Sequence, residues 1–150
     1  MGNEMHIAQA TIADLDDLAP LFDAYRQFYA QQADLALARA FVSQRLENGD
    51  SVFFLARDAG RAIGFTQLYP SFTSTGCARI YILNDLYVEP AHRGRHVGVC
   101  LLNAACDYGR QTGAMRLTLS TAIDNDHAQG VYEGAGWERS DDFITYNFPI

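Results

Sequence analysis

Six consecutive residues, Arg93-Gly94-Arg95-His96-Val97-Gly98, combine three basic side chains with two glycines. They follow an apolar strand pattern that ends Leu86-Tyr87-Val88-Glu89-Pro90, and an apolar helical pattern begins behind them. The first turn of a helix carries N–H groups without intrahelical partners and the positive end of the dipole, so it receives anions. The glycines let backbone come close to a ligand. The chemistry this spacing suits is holding a phosphate-bearing cofactor. Earlier in the same strand, Asn84 and Asp85 interrupt the apolar run. A carboxylate in a central strand is costly to bury unpaired, which suggests that Asp85 faces a cleft or a partner.

The elements that must position these residues can be read from periodicity. Residues 5–10 read as a short strand, and Thr11 to Asp14 has capping-box spacing before an amphipathic helix ending near Tyr29. Pro20 lies inside that helical pattern, which implies a kink or a later start. Asp34 caps a second helix that Asn48-Gly49 ends. Tyr25, Phe28 and Tyr29 face either the core or a cleft under these two helices. Residues 52–57 and 62–69 form a hairpin, Pro70 ends its second strand, and Phe72 falls in the loop that follows. Residues 79–88 are a long third strand, 98–112 a helix, and 115–120 a strand, which together make a right-handed βαβ unit. A short helix over 127–133 and strands over 137–139 and 143–148 close the chain. The anion site then falls at the carboxyl end of a strand, the usual place in open α/β sheets.

Composition bounds the function. The chain has 150 residues, enough for one domain spanning 1–150, with 49% apolar and 19% charged residues. No apolar run reaches the roughly 18 residues of a membrane span, and no signal peptide opens the chain. Met1-Gly2 lacks the Ser or Thr that an acylation signal needs, since His6 stands there. The expected location is cytoplasmic, without a membrane partner. A net charge of −7 argues against nucleic acid and is compatible with a cationic small substrate. Cys77, Cys100 and Cys106 have neither metal-ligand nor redox spacing and read as free thiols, so no metal is expected.

Among phosphate sites, the Gly-x-Gly-x-x-Gly and Gly-Lys-Ser/Thr patterns are both absent. Residues Arg93 to Gly98 are instead similar to the Gln/Arg-x-x-Gly-x-Gly/Ala signature of the GNAT family of N-acetyltransferases. The run Asn125-x-x-Ala128-x-x-x-Tyr132-x-x-x-Gly136-Trp137 resembles the second signature of that family. The order of elements over nearly the whole chain also fits. One departure is His96, which stands where the family has the first glycine of its signature.

The resemblance implies the GNAT fold, an α/β (α+β) architecture with a mixed central sheet of six to seven strands and helices on both faces. It implies acetyl-CoA as co-substrate. The pyrophosphate would lie on the N–H groups of Arg93, Gly94, Arg95, His96, Val97 and Gly98. The pantetheine arm would run along Leu86, Tyr87 and Val88, which needs a bulge or divergence in strand 79–88. Asn125 would touch the arm through its amide, and it also has the chemistry of a helix cap. A homodimer is implied by resemblance alone.

Acetyl transfer to an amine needs an amine that has lost its proton, a polarised thioester carbonyl and a proton for the departing thiolate. The resemblance gives the second task to a backbone N–H near Val88 and the third to Tyr132. For the first it leaves Asp85, Glu89, or a water held by Asn84. Polyamine-acetylating relatives often carry Glu at the position of Asn84, and Asn cannot act as a base. Tyr29, Tyr69, Phe72 and Asn84 would shape the acceptor pocket. The expected activity is direct acetyl transfer in a ternary complex to a small amine, polyamine or amino acid. A protein lysine or N-terminus is the alternative acceptor, and a non-catalytic acyl-CoA-binding regulatory module is the alternative of another class.

Overall fold

The computed structural model describes residues 5–150. Met1-Gly2, read above as lacking an acylation signal, lies outside them. The chain forms two compact units, one reaching to Ser120 and one from Thr121 to Ile150.

The first unit is a five-stranded sheet in the order β1-β2-β3-β4-β5. β1 (Met5–Gln9), β2 (Val52–Asp58), β3 (Arg61–Thr73) and β4 (Ala78–Val88) pair antiparallel in sequence order. β5 (Leu117–Thr118) pairs parallel with β4 after α3 (Val97–Gln111), which is the expected βαβ unit. α1 (Leu15–Phe28) and α2 (Leu35–Asn48) pack Leu18, Phe22 and Val42 against Phe53, Phe65 and Tyr87. A fully buried side chain of this size contributes about 1.5–3 kcal/mol.

Local signals set the helix starts. Thr11 Oγ1 accepts from Ala13 N and Asp14 Oδ2 accepts from Thr11 N (3.3 and 2.8 Å). Asp34 Oδ1 accepts from Leu37 N at 3.0 Å, and Gly49 ends α2 in the left-handed region at φ 64°. Pro20 neither delays nor divides α1. It and Asp16, four residues earlier, lie on the exposed face, where solvent can take the carbonyl that Pro20 leaves unbonded.

β3 runs past Pro70, against expectation, and Phe72 is therefore a strand residue rather than a loop residue. The pairing with β2 stops at Leu68. Beyond it one side of β3 is an edge, where a missing N–H costs no ladder bond. A Cβ at Gly64 would lie 2.8 Å from Tyr87 O of β4, so the close approach of the two backbones there requires glycine.

The second unit contains α4 (Asp126–Gly134). Asn125 Oδ1 caps it by accepting from Ala128 N at 3.1 Å, and Gln129 Nε2 donates to Ile123 O at 3.0 Å. Residues 137–139 and 143–148, expected as strands, form none, so the described residues hold five strands rather than six to seven. Expected strand 115–120 shortens to Leu117–Thr118. An alternating segment becomes a strand only where a neighbour takes its N–H and C=O groups. Ile144, Tyr146 and Phe148 are exposed. No helix among the described residues is long and apolar enough to cross a membrane.

Candidate active site

The polar interruption in β4 is a bulge. Gln67 of β3 stands opposite Asp85, the next residue Leu68 stands opposite Leu83, and Asn84 is the extra residue, exposed and without a register partner. This is the break that the resemblance required of the strand, and bulges of this kind re-aim side chains.

Asp85 is buried, at 4% exposure, yet both carboxylate oxygens are taken by neutral amides. Oδ1 accepts from Asn84 Nδ2 at 3.1 Å, and Oδ2 accepts from Gln67 Nε2. Gln67 Oε1 in turn accepts from Ser51 Oγ at 2.9 Å. The Asp85 carbonyl accepts from Thr66 Oγ1 at 2.7 Å, and the Asn84 carbonyl from Tyr25 OH at 3.5 Å. Burial pushes the Tyr25 phenol far above its usual value, and the hydrogen bond and charge of Asp85 push it further. Tyr69 is raised by burial first and by the Asp85 charge second. Asn84, Asp85, Tyr69 and Tyr25 therefore form one group around a carboxylate that accepts from two amides and, among the described residues, has no ion-pair partner.

The raised Tyr25 pKa has a signed consequence. A neutral phenol is favoured in the folded chain, so its contribution is complete below the unfolded value of 10.0 and is lost as pH climbs through the higher folded value. Melting temperature is expected to fall on going from pH 9 to about pH 11.5, and to fall less steeply in Tyr25→Phe. Equal slopes for the two proteins would contradict this.

Glu89 has different company. Its carboxylate pairs with Arg61 at 3.0 Å and lies 3.7 Å from His92 Nδ1. It shares no partner with Asp85. Tyr29 is exposed and meets Tyr25 edge-on at 5.1 Å. Phe72 is exposed in β3, with the Arg79 guanidinium 4.7 Å from its ring centre. Tyr25, Gln67 and Ser51 were not among the expected site residues. The signal for Gln67 was present: with Thr66 it breaks the apolar run of residues 62–69, as Asp85 breaks that of β4.

At the junction after β4, a 3₁₀ turn (Pro90–His92) leads to Gly94 at φ 78° and His96 at φ 62°. His96 is the N-cap of α3, but its side chain caps nothing. The first intrahelical bond runs from Cys100 N to His96 O at 3.0 Å, so the N–H groups of Val97, Gly98 and Val99 precede it. Both arginines are engaged within the chain. Arg93 Nε donates to Val88 O at 2.8 Å, with its guanidinium over Phe28 and Tyr87 (5.3 and 5.5 Å). Arg95 pairs with Asp58 at 3.2 Å. Leu86 and Tyr87 lie opposite Thr66 and Phe65 of β3, and Leu86 is half-buried.

The His96 backbone explains why a glycine suits this place. A left-handed residue with a side chain costs about 1–2 kcal/mol, and His is among the types that tolerate it best. His96→Gly is expected to raise stability by about 1 kcal/mol in urea unfolding, and a loss of stability would contradict the strain argument.

In the second unit, Asn125 serves as the α4 cap. Tyr132 is half-buried in α4, with its ring 6.2 Å from that of Trp137.

The model of the acetyltransferase (GNAT) family matches residues 15–137. The uncharacterized N-acetyltransferase YhfO of Bacillus subtilis is 49% identical over 142 residues, 95% of each chain. A crystal structure of a probable acetyltransferase superposes with a TM-score of 0.91 at 43% identity, covering 97% of both chains. The aminoglycoside N(6′)-acetyltransferase type 1 of Stenotrophomonas maltophilia is 24% identical over 113 residues, 73% of this chain and 74% of that one. The chain belongs to the acetyltransferase (GNAT) family and is an N-acetyltransferase.

Proposed function

We propose that this enzyme transfers the acetyl group of acetyl-CoA to a primary amine of a small cationic molecule, by direct attack in a ternary complex. The observation that carries the reading is Asp85, a buried carboxylate that accepts from the Gln67 and Asn84 amides and has no ion-pair partner among the described residues, on the strand that leads into the start of α3. An ammonium group supplies the charge it lacks. The relative named for aminoglycosides and the net charge of −7 support a small, cationic acceptor.

The junction suits a pyrophosphate. Three helical N–H groups precede the first intrahelical bond, and a Cβ at Gly98 would meet nothing within 4 Å, leaving room for a ligand. Acetyl-CoA brings the acyl group as an activated thioester. Asp85 takes the proton of the ammonium, directly or through a water beside Asn84. A backbone N–H near Val88 would polarise the carbonyl that the amine attacks, and the resemblance gives Tyr132 the role of protonating the thiolate released as the C–S bond breaks. Pairing of the arm at Val88 requires Arg93 to release the Val88 carbonyl, which frees its guanidinium for phosphate. Glu89 is paired with Arg61 and is the second candidate for the base.

Gly98→Ala separates ligand space from helix stability. The alanine is expected to stabilise the free protein by up to about 1 kcal/mol, because glycine in a helix is unfavourable. It is also expected to weaken CoA binding by about tenfold in calorimetric titration, by filling the space beside the phosphate. Unchanged affinity would move the phosphate elsewhere.

The activity test follows thiol release from acetyl-CoA with aminoglycosides, polyamines, amino acids and lysine peptides. Turnover with a small amine supports the proposal, and turnover with peptides alone favours a protein acceptor. CoA binding without turnover across the panel favours a regulatory module, and absence of CoA binding overturns both classes.

A further inference from the structure

We infer that Gln67, locked in orientation by Ser51, is a positioning residue that aims the Asp85 carboxylate at the acceptor amine; this rests on the reading of Asp85 as the base. Gln67 is fully buried in β3, and Ser51, just before β2, is buried too. The Ser51 hydroxyl donates to Gln67 Oε1, which leaves Nε2 pointing at Asp85 Oδ2. A flipped amide would set Oε1 against the carboxylate, so the hydroxyl and the carboxylate together specify one orientation. The bulge supplies the register: Gln67 stands opposite Asp85 at the step where the pairing shifts. Asn84, the residue the bulge adds, holds the other oxygen. An amide on each oxygen prevents the carboxylate from turning. A buried chain of hydroxyl, amide and carboxylate is a poor route to stability, since well-packed apolar residues would serve as well. Its distinct product is a charged group held in one direction, which is what a near-attack geometry needs.

The test uses the full chain, with acetyl-CoA and with spermidine and sisomicin as probe amines. Gln67→Met keeps the volume and removes the donor. Ser51→Ala is milder and removes the donor that holds Gln67 Oε1, so it serves if Gln67→Met folds poorly. Gln67→Met is expected to lower kcat by about 10–100-fold and Ser51→Ala by about threefold to tenfold, each with the KM for acetyl-CoA within about twofold of the parent. A merely structural role would lower melting temperature and leave kcat of the folded protein unchanged. If both variants keep full kcat while Asp85→Asn loses it, the positioning inference fails alone. If Asp85→Asn keeps full kcat, the reading of Asp85 as base fails, and this inference falls with it.

Discussion

Asp85→Asn is expected to lower kcat by about 10²- to 10⁴-fold, the range of a lost general base, while the Kd for CoA changes less than about threefold. That loss corresponds to about 2.7–5.4 kcal/mol of transition-state stabilisation. The substitution keeps the shape of the side chain but replaces one acceptor by a donor. The new amide meets a donor already in place, Gln67 Nε2 or Asn84 Nδ2, at a cost of about 1–3 kcal/mol of stability. Melting curves must therefore accompany the kinetics, with kcat referred to folded protein. Glu89→Gln is the internal control. Glu89 is already paired with Arg61 and lies near His92, so its loss is expected to change kcat by less than about threefold. The reverse pattern, a collapse in Glu89→Gln and full activity in Asp85→Asn, would move the base to Glu89.

Tyr132→Phe is expected to lower kcat by about 10²-fold with CoA affinity retained. Phenylalanine keeps the ring that faces Trp137 and removes only the hydroxyl. A purely packing role would therefore leave kcat intact in Tyr132→Phe and reduce stability in Tyr132→Ala. The acid role predicts that Tyr132→Phe is slow while its CoA titration stays near that of the parent. Full turnover in Tyr132→Phe would remove the hydroxyl from the mechanism.

What was legible in the sequence was local. The Thr11–Asp14 box, the Asp34 cap and the Asn125 cap each act over three residues, and all three are in place. The bulge in β4 was implied only by the resemblance, while the residues themselves showed that Asn84 and Asp85 interrupt an apolar run. The partner of Asp85 was not legible. Which residue of β3 faces it depends on the position of the bulge, and a slip of one residue would replace Gln67 by a neighbour on the other face. The arginines teach the same lesson. Their charge near the junction was evident, but their bonds to Val88 O and Asp58 depend on the meeting of β4 with its surroundings. The strands expected over 137–139 and 143–148 are absent from the fold, because a sequence pattern records a face to bury and not a neighbour to pair with. Pro70 misled for a related reason, since its cost depends on whether β2 extends alongside it.

The most direct measurement is a crystal structure of the enzyme with CoA. The account predicts the pyrophosphate within hydrogen-bonding distance of N–H groups of residues 94–98, the pantetheine arm beside Leu86 to Val88, and Arg93 Nε withdrawn from Val88 O. Pyrophosphate bound away from the start of α3, with Arg93 still bonded to Val88, would contradict it.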